Sequence, residues 1–377
     1  MRIGFDGKRA VQNFTGLGNY SRYVADILCH FYPENDYVLY APKKRENKRM
    51  NLLTGQYRQL TLAYPATFFW KKLSSLWRVW GITSQLEKEG IELFHGLSNE
   101  LPLNIHKSRI KSIVTIHDLI FLRYPQYYQS IDRKIYTYKF RKACENADKI
   151  IAISECTKRD IIRYFNIPDD KIEVVYQGCD VSFTHPVTEE KKEEVRKKYQ
   201  LPDHYILNVG SIEERKNILA AVQALPMLPQ HIHIVIVGRR TGYTEKVEQF
   251  IKDNGLGERV HIISNVPFND LPAFYQSAEI FVYPSRFEGF GIPIIEALYS
   301  GIPVVAATGS CLGEAGGPDS IYVNPDDITG LADAFKQIYS NSDKRKNMVE
   351  KGREFAKRFS EKQQSEEIIN IYKKLIR

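Results

Sequence analysis

Residues 280–296 read IFVYPSRFEGFGIPIIE, and this stretch decides the fold of the region around it. The apolar run 280–282 predicts a buried strand, and the prolines and glycines after it predict a loop that leads into a helix. Glu288 precedes the predicted helix, and Glu296 is expected about two turns inside it. A strand, a glycine-rich loop and a helix in this order are typical of an α/β domain.

The loop of this stretch also has the composition of a ligand site. Gly289 and Gly291 expose backbone amides, so we count them, with Phe290 between them and Ile292 after them, among the candidate ligand contacts. Glu296 lies among apolar residues, where a carboxylate is costly to bury without partners. A ligand with several hydroxyl groups would explain this carboxylate and the one before the helix.

Outward from this stretch, short apolar strands alternate with longer helical patterns in both halves of the chain. Strands are predicted at 2–5, 37–40, 60–63, 93–95, 112–117, 149–153 and 172–176 in the first half, and at 205–209, 233–237, 260–263, 280–282, 303–306 and 321–323 in the second. This rhythm predicts an α/β protein with two parallel sheets.

The length of 377 residues also favours two domains over one. Residues 177–202 contain glycine, proline and a run of charges before a new strand begins, which is typical of a linker. We therefore predict a first domain over residues 1–184 and a second domain from residue 185. Two domains of this kind imply a cleft between them.

Two candidate sites lie beside strands of the first half. Gly16 and Gly18 stand at the entrance of a helical pattern, where glycines let a phosphate approach the backbone amides. A plain tight turn is the alternative. The strand 112–117 ends in His117 and is followed by Asp118. Because open α/β sheets bind ligands at the carboxyl ends of their strands, His117 is a candidate catalytic residue, and Asp118 can cap the next segment or orient it.

Two adjacent cations follow the strand 205–209. Arg215 and Lys216 lie immediately before a helical pattern. Such a pair can neutralise a diphosphate, because Arg offers a planar fork of donors and Lys a point charge. In the alternative interpretation they are surface cations beside Glu213 and Glu214.

Composition excludes several classes of protein. A hydrophobic share of 43% and a charged share of 26% are those of an ordinary globular protein. The five cysteines include no C-x-x-C pair, which fits small apolar residues in a reducing compartment. No secretion signal and no transmembrane helix are predicted. We expect a cytoplasmic protein.

The net charge of +8 is concentrated in the first half, since residues 1–180 hold 28 Lys and Arg against 19 Asp and Glu. Its sharpest cluster runs from Phe68 to Trp80, where aromatic, leucine and basic residues alternate at roughly helical spacing. This segment is either a helix that packs Trp77 and Leu73 into its own domain or a contact to an anionic membrane surface. No zinc-finger spacing, RNA-binding strand motif or basic-region heptad occurs, so no nucleic-acid partner is expected.

Together these motifs resemble glycosyltransferase family 4, whose members are retaining enzymes of the GT-B fold that use nucleotide sugars. EGFGIPIIEA at 288–297 followed by SGIPVVA at 300–306 is similar to the donor-site signature of the family. The resemblance covers nearly the whole chain. It implies two Rossmann-like domains whose parallel sheets face each other across a cleft, with the second domain at 185–355 and a C-terminal helix at 356–377 that packs back on the first domain.

The resemblance also implies roles for the candidate residues. Glu288 and His117 become catalytic candidates at the donor sugar, and Glu296 is expected on the ribose hydroxyls. The other donor-binding candidates are Gly16, Gly18, Arg215, Lys216, Gly289, Phe290, Gly291 and Ile292. The family's chemistry retains the configuration at the anomeric carbon and needs no cofactor besides the donor. Since no Asp-x-Asp triplet occurs, we expect no metal site.

A narrower resemblance concerns the substrates. VTIHDL, ADKIIAISE and VGSIEERKN are similar to mannosyltransferases of surface polysaccharide and O-antigen assembly. This implies GDP-mannose as donor and a saccharide or a polyprenyl-diphosphate-linked saccharide as acceptor, at the inner face of the cell membrane. The chain departs from the family pattern at Ser211, in SCLGE at 310–314 and in Thr15-Gly16-Leu17. These departures leave a UDP-sugar open as the donor.

Three other classes of protein were weighed. A dehydrogenase needs a fuller glycine fingerprint and an acidic residue after the next strand, and residues 1–40 supply neither. A GT-B epimerase or phosphorylase shares the architecture and differs in its products. A non-catalytic protein that binds sugar nucleotides would show binding without turnover.

Overall fold

Two compact units organise the chain. The computed structural model describes residues 1–376. The first unit comprises Met1–Gln177 and the C-terminal segment that begins at Glu361, and the second comprises Gly178–Ser360. Each unit has a parallel sheet of its own.

The first unit is built on seven strands. They are β1 (Arg2–Asp6), β2 (Asp36–Tyr40), β3 (Leu60–Ala63), β4 (Leu93–Gly96), β5 (Lys111–Ile116), β6 (Lys149–Ala152) and β7 (Ile172–Val174). The helices are α1 (Lys8–Gln12), α2 (Gly16–Phe31), α3 (Lys48–Gln56), α4 (Phe68–Lys72), α5 (Ser74–Leu76), α6 (Ile82–Lys88), α7 (Ile120–Arg123), α8 (Ser130–Asn146) and α9 (Glu155–Phe165). The sheet order is β3-β2-β1-β4-β5-β6-β7, with Ile3 paired to Tyr37 on one side and to Leu93 on the other.

The second unit repeats the plan with six strands. They are β8 (Tyr205–Val209), β9 (His233–Val237), β10 (Val260–Ile263), β11 (Ile280–Tyr283), β12 (Val304–Ala307) and β13 (Ile321–Val323). The helices are α10 (Glu189–Tyr199), α11 (Ile218–Ala224), α12 (Tyr243–Asp253), α13 (Leu271–Ser277), α14 (Ile292–Ser300), α15 (Leu312–Gly316), α16 (Ile328–Ser340) and α17 (Ser342–Ala356). The sheet order is β10-β9-β8-β11-β12-β13.

In both sheets the strand order reverses beside the first strand of the unit. The reversal lies between β1 and β4 in the first unit and between β8 and β11 in the second. At such a point the loops that leave the two strands run in opposite directions and open a crevice for a ligand. The loops after β8 and β11 are the ones that carry Arg215, Lys216 and Glu288.

Apolar strand sequences explain why the sheets form. β9 reads HIVIV, and its last four residues are all buried. Parallel strands that are covered by helices on both faces need such continuous runs of branched apolar residues. Ile206, Ile234 and Ile236 pack in one core cluster with residues of α11, α12 and α16.

All thirteen predicted strands are present in residues 1–376, and their bounds differ from the prediction by two residues at most. β5 ends at Ile116, so His117 is the first residue of the following loop. The prediction for α14 was less accurate. The helix begins at Ile292, with Pro293 in its first turn, so Glu296 lies about one turn inside it and not two.

The boundary between the units differs from the predicted one at 184. The N-terminal segment of the first unit ends at Gln177. The reason is local, because a 3-10 turn at Val181–Phe183 places the Phe183 ring 5.3 Å from Tyr275 and 5.9 Å from Phe268, both in the second unit. The chain therefore already packs against the second unit before residue 184.

The C-terminal helix α18 (Glu361–Ile376) belongs to the first unit. It begins five residues after the expected start, because α17 continues to Ala356. Ile368, Ile369 and Tyr372 are buried in the core cluster that contains β1 and α2.

The segment 68–80 is not one continuous helix. It consists of α4, α5 and a π-helical turn at Trp77–Gly81. Trp77 is buried as expected, and its indole nitrogen donates to Gln85 at 3.1 Å. Leu73, which one of the two alternatives placed in the core, is 39% exposed, because α4 ends at Lys72 and the backbone turns there. None of the helices described within residues 1–376 is both long and apolar enough to span a bilayer.

Candidate functional site

The candidate site of the second unit lies at the carboxyl ends of β8 and β11. Gly210 follows β8 with a φ of 149° and lets Lys216 fold over it, since a Cβ there would stand 2.9 Å from the Lys216 Nζ. Gly238 follows β9, and a Cβ at this position would stand 1.8 Å from the Gly210 carbonyl oxygen. The loops after β8 and β9 therefore touch at a place where only glycine fits.

Backbone contacts join the loop after β8 to the loop after β11. Arg215 and Lys216 lie on a 3-10 turn, Glu214–Lys216. The Arg286 amide donates to the Arg215 carbonyl at 2.9 Å, and the Arg215 guanidinium donates to the Phe287 carbonyl. These hydrogen bonds fix the distance between the two loops, and the charged side chains of Arg215 and Glu288 are therefore in contact.

Glu288 is the centre of this cluster. Its carboxylate lies 2.8 Å from the Arg215 guanidinium and 3.7 Å from the Lys216 ammonium. Ser285 donates to it at 2.8 Å and Tyr283 at 3.0 Å. Burial alone would raise the pKa of Glu288, but Lys216, Arg215 and the hydrogen bonds from Arg215 and Ser285 lower it to about 2. The carboxylate is ionised at every physiological pH.

The two cations also stay charged. Burial works against the charge of Lys216, but Tyr283 and Glu288 raise its pKa. Burial likewise opposes the charge of Arg215, and Glu288 raises its pKa. The Lys216 ammonium donates to the Tyr283 hydroxyl at 3.1 Å. Because the cations are ion-paired within the protein, a phosphate group that binds them must share them with Glu288 or replace it.

Cys311 contacts the backbone of the loop that leads into α14. The Cys311 sulfur lies 3.0 Å from the Glu288 carbonyl oxygen and 2.8 Å from that of Phe290, so the thiol can donate to either. The Phe290 side chain is buried, with its ring 5.6 Å from that of Phe359. Phe290 can therefore reach a ligand only through its backbone. Gly291 is buried, and a Cβ there would stand 3.1 Å from the Ala315 Cβ.

Glu296 is the second carboxylate of the site and has different surroundings. It lies on α14, one turn after the half-buried Ile292. The Tyr275 hydroxyl donates to its Oε2 at 2.6 Å. Burial raises the pKa of Glu296 to about 7, the Tyr275 hydrogen bond lowers it and Asp180 adds to the rise. Near neutral pH this group can both donate and accept hydrogen bonds, which suits a pair of hydroxyls on a ligand.

The two glycines of the first unit differ in their surroundings. α2 begins at Gly16, and a Cβ on Gly16 would meet nothing within 4 Å. At Gly18 a Cβ would stand 2.0 Å from the Asn13 carbonyl oxygen. The Asn13 side chain also accepts from the Gly18 amide at 3.3 Å. Packing alone therefore explains Gly18, whereas Gly16 leaves open space at the start of the helix.

His117 lies in the loop after β5, and both nitrogens of its ring are engaged. Nε2 lies 2.9 Å from the Leu97 carbonyl oxygen and Nδ1 lies 3.2 Å from the Gln177 side-chain nitrogen. Burial lowers the pKa of His117 to about 4, against the Leu97 hydrogen bond, which raises it. The imidazole is therefore neutral near pH 7. Asp118 accepts from the Ile120 amide at 3.1 Å, but the N-cap residue of α7 is Leu119, so Asp118 lies one residue before the capping position.

Several residues of these sites were missed by sequence reasoning. Tyr283, Ser285 and Tyr275 bind the two glutamates, and Gln177 binds the histidine. Of these four residues, only Tyr283 and Ser285 could have been suspected from the sequence, because they lie at the end of a predicted strand. Among residues 1–376, no three His, Cys, Asp or Glu side chains are grouped so that they could hold a metal ion.

Two family models match the chain, one in each unit. The model described as "Glycosyltransferase Family 4" matches residues 21–183, and the model described as "Glycosyl transferases group 1" matches residues 189–355.

Solved structures show the same fold at low sequence identity. Sucrose-phosphate synthase of Thermosynechococcus elongatus has a TM-score of 0.78 at 20% identity and covers 100% of this chain and 99% of its own. Anabaena HepE, solved in complex with UDP and glucose, has a TM-score of 0.77 at 18% identity, with full coverage of both chains. The fold is GT-B.

Curated relatives are similar over much of the sequence. The O-antigen chain mannosyltransferase RfbU of Salmonella typhimurium is 29% identical over 225 residues, which are 60% of each chain. The O-antigen chain mannosyltransferase B of Escherichia coli is 31% identical over 289 residues, which are 75% of this chain and 74% of the relative. With this identity and with family matches in both units, the chain belongs to glycosyltransferase family 4.

Proposed function

We propose that the protein transfers mannose from GDP-mannose to a saccharide or a lipid-linked saccharide during the assembly of a surface polysaccharide. The observation that carries the proposal is the cluster of Glu288, Arg215 and Lys216 at the reversal point of the second sheet. The choice of mannose is supported by two relatives that are named as O-antigen chain mannosyltransferases.

In this proposal the donor diphosphate replaces Glu288 as the partner of the two cations. Arg215 and Lys216 then stabilise the negative charge that develops on the diphosphate as it leaves. Glu288, released from them, accepts hydrogen bonds from hydroxyls of the sugar. Glu296 binds the two ribose hydroxyls, and because its pKa is raised to about 7 it can accept a hydrogen bond from one of them and donate to the other.

The chemical step that we propose is the one that the chemistry of the family implies. The bond between C1 of the sugar and the phosphate oxygen breaks, and the acceptor oxygen forms its bond to C1 from the same face. The departing phosphate oxygen takes the proton of the acceptor. His117 is neutral with both nitrogens engaged, which fits a role other than proton removal. We propose retention at the anomeric carbon and no requirement for a metal ion.

The acceptor side is proposed to lie near an anionic membrane surface. In the segment 68–80, Phe68 is 72% exposed, Phe69 59% and Trp80 48%. Lys71 and Lys72 end α4 beside these rings. Aromatic rings with adjacent lysines are the usual composition of an interfacial contact. We propose a location on the inner face of the cell membrane, where a polyprenyl-diphosphate-linked acceptor would be presented.

A thermal-shift panel tests the donor. The purified protein is heated with GDP-mannose, GDP-fucose, UDP-glucose, UDP-galactose, UDP-N-acetylglucosamine, GDP, UDP or NAD, since a ligand of the native state raises its stability. We expect selective stabilisation by GDP and GDP-mannose. The second candidate is a UDP-sugar, which the UDP complex of the structurally similar HepE favours. Selective stabilisation by UDP compounds would replace mannose, and binding without turnover on any acceptor would indicate a non-catalytic protein.

A further inference from the structure

The contacts of the His117 ring determine where its proton lies. A backbone carbonyl oxygen can only accept a hydrogen bond, so the 2.9 Å contact from Nε2 to the Leu97 oxygen requires a proton on Nε2. A neutral imidazole carries one proton, and Nδ1 is therefore a bare acceptor. Its 3.2 Å partner, the Gln177 side chain, must face it with the NH₂ group.

Tyr20 supports the ring from a second direction. Its ring meets that of His117 edge-on, with centroids 4.6 Å apart at 89°. The Tyr20 hydroxyl is 3.2 Å from the Thr115 hydroxyl, which lies 2.8 Å from His95. Because these partners are buried, the plane of the His117 ring is well defined. The charged and titratable groups that act on the ring are Arg9 of α1, Tyr20 of α2 and His95 of β4.

We propose that Gln177 is a positioning residue for His117: its NH₂ group donates to Nδ1 and so disfavours a proton there, while the Leu97 carbonyl holds the proton on Nε2. Gln177 is 5% exposed and ends the first of the two chain segments that form the first unit. The proposal rests on the proposed function and on the role at the donor sugar that the family resemblance implies for His117. Glycosyl transfer develops positive charge at the anomeric carbon. An imidazolium beside that carbon would oppose this charge, whereas a neutral ring does not.

The substitution Gln177→Glu tests the proposal. A carboxylate can only accept, so it favours a proton on Nδ1 while Leu97 keeps the one on Nε2. The imidazolium is then stabilised, and an adjacent carboxylate typically raises a histidine pKa by about 1–3 units. A rise of about 2 units from the wild-type pKa of about 4 places the pKa of His117 in the variant at about 6. We therefore expect the ratio of kcat for the variant to kcat for wild type to fall about tenfold from about pH 8 to about pH 5, with the KM for the donor changed less than about twofold.

A matched control and a second readout keep the test decisive. Gln56→Glu places the same charge on an exposed side chain of the same unit, and its kcat ratio should stay constant with pH. Nitrogen NMR of the full chain needs no turnover. Near pH 5 it should show His117 protonated at Nε2 alone in most of the wild-type protein, and at both nitrogens in most of the Gln177→Glu protein. If the charged variant does not fold, Gln177→Met replaces it in the test. This variant should have a lower kcat than wild type and no new pH dependence.

Two results would overturn the proposal. One is a wild-type ring protonated at Nδ1, which would reverse the assigned tautomer. The other is a Gln177→Glu enzyme with the kcat and pH profile of wild type. Loss of the proposed function would look different, because wild type would then fail to transfer sugar while the NMR assignment of His117 remained as described.

Discussion

Glu288 is held by four neighbouring side chains. Its carboxylate has Arg215, Lys216, Tyr283 and Ser285 as partners. A carboxylate with all of these partners can take up a sugar hydroxyl only if some of them leave. A diphosphate is the partner best able to remove the two cations, since it carries more charge than one carboxylate. The binding of the phosphates and of the sugar are therefore linked through this residue.

The substitution Glu288→Gln should separate these two events. The amide keeps the size of the side chain but removes the charge that holds Arg215 and Lys216. We expect kcat to fall about 100-fold or more, because a hydrogen-bond acceptor for the reacting sugar is lost. GDP should bind as tightly as to wild type or more tightly, because the cations no longer have a competing partner. Initial rates and calorimetric titration with GDP measure the two effects.

The neighbouring Glu214→Gln is the control for this prediction. Glu214 lies on the same turn as the two cations but forms none of the contacts to Glu288. Its rate should stay within about twofold of wild type, as is usual for a substitution away from the reacting groups. A Glu288→Gln enzyme that transfers sugar at the wild-type rate would remove this residue from the reaction.

Sequence reasoning named the charged residues of the site but not what they touch. Arg215 and Glu288 were both selected from their places after strands. Their ion pair joins residues 73 positions apart, and no local pattern records such a contact. The same holds for Gln177, which lies 60 positions from His117. Gly16 and Gly18 look alike in the sequence, and only packing against Asn13 distinguishes them.

At the scale of elements, the loops after β8 and β11 act as one structure. The Arg286 amide and the Arg215 carbonyl join them, and each loop supplies one partner of the central ion pair. Both loops leave neighbouring strands, so the pairing of β8 with β11 sets their separation. A ligand held by one loop is consequently placed against the other.

The double substitution Arg215→Ala with Lys216→Ala tests the role of the first loop. Each cation is expected to contribute about 1.5–3 kcal/mol through charge-assisted hydrogen bonds to phosphate. The affinity for GDP should therefore fall at least about 100-fold, while the affinity for guanosine should change less than about threefold. Isothermal titration with the two ligands gives the comparison. An equal loss for both ligands would show that the pair supports the fold of the loop instead.

A second pair of cations provides the control. Arg239 and Arg240 follow β9, the next strand of the same sheet, and are 75% and 47% exposed at their side chains. Replacing both by Ala removes the same charge from the same end of the sheet. The affinity for GDP should then fall less than about threefold, because these side chains lie in solvent. A loss as large as that of the first pair would indicate a general effect of charge.

The strands were predictable because their signal is local. Runs such as HIVIV in β9 are buried on both faces, and branched apolar residues suit no other regular structure as well. Helix starts carry a weaker signal, and α14 was expected about one turn too early. The broken segment 68–80 shows the same limit, since a helical spacing of apolar residues does not reveal where the backbone turns.

At the scale of the whole molecule, charge is distributed unequally along the chain. Residues 1–180 carry a surplus of nine positive charges, and residues 181–377 carry 25 Lys and Arg against 26 Asp and Glu. The exposed rings of Phe68, Phe69 and Trp80 lie in the first, positive part. A surface that combines both features is attracted by an anionic membrane more than by a neutral one. This asymmetry predicts that the first unit contacts anionic membranes.

Flotation with vesicles should detect this contact. We expect the protein to float with vesicles that contain anionic lipid, to stay behind with vesicles of neutral lipid alone, and to dissociate as salt is raised. Lys71→Gln with Lys72→Gln should weaken the partitioning about 30-fold, since each lysine near such a surface contributes about 1 kcal/mol. Lys43→Gln with Lys44→Gln removes the same charge from exposed positions of the same unit and should have a smaller effect. Equal weakening by both pairs would show that the total charge, and not the segment 68–80, draws the protein to the membrane.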